Sequence, residues 1–186
     1  MLLDIKFLDD ATRPHAPRLE NLTPQQRAPG RHLKMIHDHL RDNMTTLRTI
    51  LEQAAAGEIT PQEAEARTEN LTMTTNYRRF GNLCGQYCQI VHTHHSIEDQ
   101  AIFPELSTKG EAYRKVVERL MAEHEVVHEI LVRLVGALVD LARSPGPDTM
   151  ASARELYDAL ERVLLSHLGY EEEEIGDALG YYNVGV

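Results

Sequence analysis

At 186 residues, with 42% hydrophobic and 26% charged side chains, the chain has the length and balance of one ordinary domain that buries a real core. Its 19 basic and 29 acidic residues leave a formal net charge of −10 (19 − 29), which argues against the basic surface that nucleic acid and anionic membrane require. The most apolar run, Ile130 to Ala142, is interrupted by Arg133 and Asp140, so no membrane span is expected.

The first ten residues, MLLDIKFLDD, carry three aspartates and lack the basic start and unbroken apolar stretch of a secretion signal. Residues 1–30 contain Pro14, Pro17, Pro24 and Pro29, then Gly30, a composition that prevents a long helix. They are expected to form an extended arm, with Leu2, Leu3, Ile5, Phe7 and Leu8 packing onto a neighbour. That neighbour is either the rest of the chain or a second copy, which makes the arm a candidate for homo-oligomer contact.

From residue 31 onward the apolar period becomes helical, and residues 31–186 read as one all-α domain. Helix one places Leu33, His37, Leu40, Met44, Leu47 and Leu51 on one stripe and ends at Gly57. Thr60-Pro61-x-Glu63 has the form of a capped helix start. Helix two is expected from about Leu71 to Phe103, stopped soon after by Pro104, with Phe80, Leu83, Tyr87, Val91, His94, Glu98 and Ala101 facing inward. Gly81 and Gly85 weaken it locally. Cys84 and Cys88, one helical turn apart, are the only cysteines; they make no long-loop disulfide framework and favour a reducing, cytoplasmic setting. Helix three, about Glu111 to Ala142, turns Val117, Leu120, His124, His128, Leu131 and Leu134 to one side. After the loop Ser144 to Asp148, helix four presents Leu156, Leu160, Val163, Leu164, His167 and Glu171, running on to about Leu179. Four amphipathic helices with short connections pack naturally as an antiparallel up-down four-helix bundle.

Four of these stripes carry metal-binding side chains: His37; His94-x-x-x-Glu98; His124-x-x-x-His128; and His167-x-x-x-Glu171. Residues i and i+4 stack on one helix face, so each pair offers two donors to one place. Imidazole and carboxylate together suit iron, manganese or zinc. Seven donors exceed the four of a structural zinc site, which points to two ions. A lone histidine such as His37 is usually a packed core residue. Five imidazoles and two carboxylates buried without a partner would be costly, so a bound cation is the better account. His124, His128 and His167 are expected to hold one ion and His37 with His94 the other, with Glu98 and Glu171 bridging. Coordination then stays incomplete, leaving room for a small molecule such as dioxygen.

The helix-one histidine, the stretch His94-His95-Ser-Ile-Glu98-Asp99-Gln-Ala-Ile-Phe103-Pro104, Glu123-His124-x-x-x-His128 and His167-x-x-x-Glu171 resemble the hemerythrin-like family of HHE cation-binding domains. The resemblance covers about residues 31–180. It implies a four-helix bundle with a non-haem di-iron centre, bridged by oxygen and two carboxylates. Its ligands by position would be His37, His94, Glu98, His124, His128, His167 and Glu171. Three registers stay open: His39 in place of His37, His95 with Asp99 in place of His94 with Glu98, and Glu172 in place of Glu171. Tyr87 and Tyr170 are candidates to line the pocket, and Asp99 and Glu125 to orient ligand imidazoles. The expected function is binding or reaction of dioxygen, peroxide or nitric oxide. The alternative is a sensor or iron/zinc-handling module without turnover; fold and ligands alone do not choose between carrier, sensor and oxidoreductase.

Overall fold

The computed structural model describes residues 4–59 and 85–185. Five helices and one π-helical turn account for most of them: α1 (Ala28–Ala55), α2 (Gly85–Ile97), the π turn Glu98–Ile102, α3 (Phe103–Ser107), α4 (Glu111–Arg143) and α5 (Pro147–Tyr181). No strand occurs among the described residues. The expected cap at Thr60 to Glu63, the start of helix two, and the positions Phe80, Gly81, Leu83 and Cys84 lie outside the described residues, as do Leu2 and Leu3 and the side chains of Tyr87 and Cys88.

The local signals act as their chemistry requires. Gly57, at φ +69°, ends α1, and the amide of Glu58 closes back on the carbonyl of Gln53 at 3.0 Å. Pro147 opens α5, where its missing N–H is one that a first turn leaves unbonded anyway. Pro104 departs from expectation: it lies in the first turn of α3 and does not stop the helical run. The chain absorbs it in the preceding π turn, whose wider loop is closed by the Phe103 amide on the Glu98 carbonyl. The extra residue rotates everything beyond by about 100°. Ala101, expected inward, is therefore exposed, while Ile102, Phe103 and Leu106 are buried.

The chain divides into two compact units, one drawing on residues 1–5, 41–92 and 128–162 and the other on residues 6–40, 93–127 and 163–186. In the first, the Tyr157 hydroxyl donates to the Met44 carbonyl, and the Arg48 guanidinium donates to Glu161 and, at 2.9 Å, to Asp158. In the second, Leu33, Phe103, Leu106, Val116, Leu120, Ile175 and Leu179 form the core.

Ahead of α1, Leu22 is buried and Ala16 and Leu19 pack against that second core. Phe7 and Leu8 are exposed. Ile5 is half-buried, and Ala16 and Leu19 pack on a core of their own chain.

Two glycines set how closely the ends of this unit approach. A Cβ on Gly30 would lie 2.4 Å from the Gly176 carbonyl oxygen, and one on Gly180 would lie 1.6 Å from that of Gln26. Both obstacles are backbone and cannot swing aside. Gly180→Ala is accordingly expected to destabilise the protein by about 1–2 kcal/mol, an overpacking cost toward the upper end of about 1–3 kcal/mol outweighing the helix-propensity gain of about 1 kcal/mol. A denaturant midpoint equal to or above the parent's would contradict this close approach.

Candidate metal centre

All the clustered donors belong to the unit of residues 6–40, 93–127 and 163–186. They form two groups, His37 with His94, Glu98 and Glu171, and His95 with His124 and His167; within each group the donor atoms lie within 4.8 Å of one another. His37, His167 and Glu171 have no exposed surface, and Glu98, His124 and His95 are also buried.

The imidazoles are held from behind. His37 Nδ1 donates to Glu172 Oε1 at 2.9 Å, His124 Nδ1 to Asp99 Oδ1 at 2.9 Å, and His167 Nδ1 to Glu123 Oε2 at 3.0 Å. An ionised carboxylate only accepts, so the proton sits on Nδ1 in each ring and Nε2 presents a bare lone pair. These lone pairs converge. His124 Nε2 and His167 Nε2 are 3.1 Å apart, and His37 Nε2 lies 3.0 Å from His94 Nε2. Between His124 and His167, each with its proton on Nδ1, two lone pairs at that distance repel unless a cation lies between them. Two cis donors on one ion, each about 2.1 Å away, would be separated by roughly 3.0 Å.

The carboxylates lie against both groups. Glu98 Oε1 is 3.1 Å from His94 Nε2, while its Oε2 is 3.7 Å from His124 Nε2. Glu171 Oε2 is 3.6 Å from both His37 Nε2 and His167 Nε2. All four oxygens, and His95 Nε2, are buried; the two carboxylates meet each other, and beyond that neither they nor His95 Nε2 has a hydrogen-bond partner among the described residues. Burial of so many polar atoms normally demands partners, and a pair of cations would supply them. The donor set therefore fits metal.

The electrostatics point the same way. Burial, aided by Glu171, pushes Glu98 well above the usual carboxylate range, and burial lifts Glu171 to about 7, helped by the charges of Glu172 and Asp99 and opposed by a hydrogen bond with Glu98. Burial and the neighbouring His37 hold His94 down at about 3. Burial likewise lowers His167 to about 4, against the pull of Glu123. Burial would raise Glu123, but hydrogen bonds from His167, Arg13 and Arg119 outweigh it and bring it to about 2. The inward carboxylates thus resist ionising and the imidazoles resist protonation, so a cation gains from both.

Six of the seven expected donors converge; His128 does not. It is exposed, its ring 5.4 Å from that of exposed His92. His95 stands in its place, stacked on His124 with ring centroids 3.7 Å apart. Both members of the His94–His95 pair point inward, one to each group, so the two registers are used together. His39 is exposed, and Glu172 faces the back of His37, so His37 and Glu171 are the inward residues. Asp99 orients a ring as expected; Glu125 is exposed, and Glu123 takes that part for His167. Tyr170 turns away: its hydroxyl donates to the Pro14 carbonyl at 2.7 Å and its ring lies under the Arg13 guanidinium. Glu123 and Glu172 carry no signal within their own helices, because the rings they hold lie on other helices.

No helix among the described residues is long and apolar enough to cross a membrane. No curated protein and no solved structure matches the chain. The family described as the hemerythrin HHE cation binding domain matches residues 58–179, a span that holds every clustered donor except His37. With two buried histidine groups sharing two carboxylates and a match over most of its length, the chain belongs to the hemerythrin HHE cation-binding domain family.

Proposed function

We propose that this protein is a non-haem di-iron protein that binds or reacts with dioxygen or a related small oxidant, peroxide or nitric oxide among them. The observation that carries the reading is the pair of carboxylates, Glu98 and Glu171, both buried, partnered among the described residues by no group but each other, and lying against both histidine groups. His37 and His94 would hold one ion; His95, His124 and His167 the other; Glu98 and Glu171 would bridge. Iron in such a site supplies reversible redox chemistry and open coordination positions for the oxidant.

The chain's own contribution is orientation and exclusion of water. Glu172, Asp99 and Glu123 fix three rings with their lone pairs inward. Phe103, fully buried, stacks on His124 at 5.4 Å and covers that ring with hydrocarbon. We further read residues 31–186 as an antiparallel up-down bundle with residues 1–30 as its arm, in a cytoplasmic setting supported by a two-cysteine composition. No organic substrate is needed for this reading.

The test is metal analysis of protein expressed with iron available, followed by exposure of the anaerobic ferrous form to dioxygen and nitric oxide under optical monitoring. About two irons per chain and a new absorption band on exposure are expected. One zinc per chain would overturn the iron assignment. Two irons that stay spectroscopically silent toward both gases would overturn the oxidant-binding part and leave an iron-handling module.

A further inference from the structure

We propose that Arg13, carried by the segment ahead of α1, is a positioning residue for the metal centre: by clamping Glu123 it fixes the orientation and tautomer of His167. The proposal rests on reading the histidine–glutamate cluster as a metal site, and it concerns a residue outside the family match at residues 58–179.

The geometry forms a relay of three side chains from three parts of the chain. Arg13 grips Glu123 with both prongs of its guanidinium, Nε to Oε1 at 2.9 Å and Nη2 to Oε2 at 3.0 Å. Its remaining nitrogen donates to Ser166 Oγ at 2.9 Å. Glu123 Oε2 also accepts from His167 Nδ1, and Oε1 from Arg119 Nε at 2.6 Å. Side-chain exposure falls along the relay from 12% at Arg13 to 4% at Glu123 and 0% at His167. A bidentate pair at that depth is geometrically selective in a way a surface ion pair is not.

The oxygen facing His167 is the one that Arg119 does not reach. Arg119 holds Oε1; among the described residues, only Arg13 and His167 hold Oε2. Without Arg13 the carboxylate is pinned at one corner and can turn, and the Nδ1 proton of His167 loses its fixed acceptor. The lone pair aimed at the ion then loses its direction too.

The three residues after Arg13 keep it in register. Pro14 accepts from Tyr170, His15 Nδ1 donates to Glu174 Oε1 at 2.8 Å, and the Ala16 amide donates to Glu174 Oε2 at 2.6 Å. Ser166, Tyr170 and Glu174 recur every four residues on α5, so residues 13–16 follow one stripe of that helix alongside His167. By contrast, the Arg18–Glu173 pair on the same segment has both partners more than half exposed and touches no donor of the site.

The test compares Arg13→Gln, which keeps most of the side-chain volume, Arg13→Lys, and Arg18→Ala as a control on the same segment. The first readout is the His167 Nδ1–H signal in nitrogen-resolved proton NMR of chelator-treated protein, both its shift and its exchange with water. The second is titration with cobalt(II), read as stoichiometry and visible absorption. Arg13→Gln is expected to move the His167 signal, speed its exchange, and weaken one of two cobalt ions about 10–100-fold. Arg13→Lys should move the signal in the same direction by less, because an ammonium cannot hold both oxygens. Arg18→Ala should change neither readout.

An unmoved His167 signal in Arg13→Gln overturns the proposal, whatever the cobalt does. So does equal weakening of both ions, which would make Arg13 only an anchor for the segment. If Arg13→Gln loses helix by circular dichroism, Arg13→Lys decides by the same His167 signal. A parent protein that takes up no cobalt would sink the metal reading, while the NMR comparison would still decide the role of Arg13.

Discussion

Glu171→Gln is expected to yield a protein more stable than its parent when both are stripped of metal, yet unable to hold two ions. Glu171 has no exposed surface, and among the described residues its carboxyl meets only the Glu98 carboxyl. Its carboxyl titrates at about 7 in the fold against an ordinary value of 4.5. Between those values the folded chain keeps a proton that the unfolded chain has released. The contribution to stability is therefore full below about pH 4.5 and is lost as pH rises to 7. Glutamine does not titrate, so the difference between variant and parent should be small near pH 4.5 and reach roughly 2–4 kcal/mol in favour of the variant at pH 8.

With metal the order should invert. The parent gains about 4 kcal/mol at a thousandfold excess of ion over its dissociation constant, while the variant has lost a negative donor that lies against both histidine groups. Urea unfolding at pH 5 and pH 8, with chelator and with metal, checks all four cases. A stripped variant less stable than its parent at pH 8, or one still binding two ions, would show that Glu171 is satisfied by the protein alone.

The difference between what sequence and structure disclose is instructive at three places. Helix identity was legible because the apolar period ran long: Leu33, Leu40, Met44 and Leu47 are all buried on α1, as their spacing required. Six of the seven expected donors, which sit within those stripes, are brought together in the fold. The register beyond Glu98 was not legible. A π turn inserts one residue without changing composition, so the regular period placed Ala101 inward where Ile102 and Phe103 lie. Pro104 was a visible cue, but one that also fits a helix stop. The carboxylates behind the rings were hidden for a different reason. Glu123 precedes His124 by one residue yet serves His167, and Glu172 serves His37; both pairings depend on how helices lie beside one another. Arg13 was the least visible of all, a single cation in a proline-rich stretch whose partner is 110 residues away.

His95 and His128 give the sharpest contrast, because the spacing of residues favours one and the geometry the other. His128 lies four residues after His124, as a ligand pair on one helix face would, but its side chain is exposed beside His92. His95 directly follows His94, so a regular helix turns it about 100° away, yet it is buried, its Nε2 without a hydrogen-bond partner among the described residues, and it offers a ring nitrogen to the group of His124 and His167. Burial holds it neutral, well below the usual histidine range, which is the form that binds metal. His128→Ala is therefore expected to behave as a surface change, within about 0.5 kcal/mol in stability and with both ions retained. His95→Ala should lose one of the two ions, its affinity falling by more than the roughly 10–100-fold that follows loss of an outer partner alone. Cobalt titration and metal analysis after gel filtration, run on both variants, separate the cases. The reverse pattern would return the second ion to the His124–His128 pair and leave His95 a packed core histidine. In the expected pattern, adjacent histidines on α2 serve two ions at once, each ring taking the side of the helix nearest its own group.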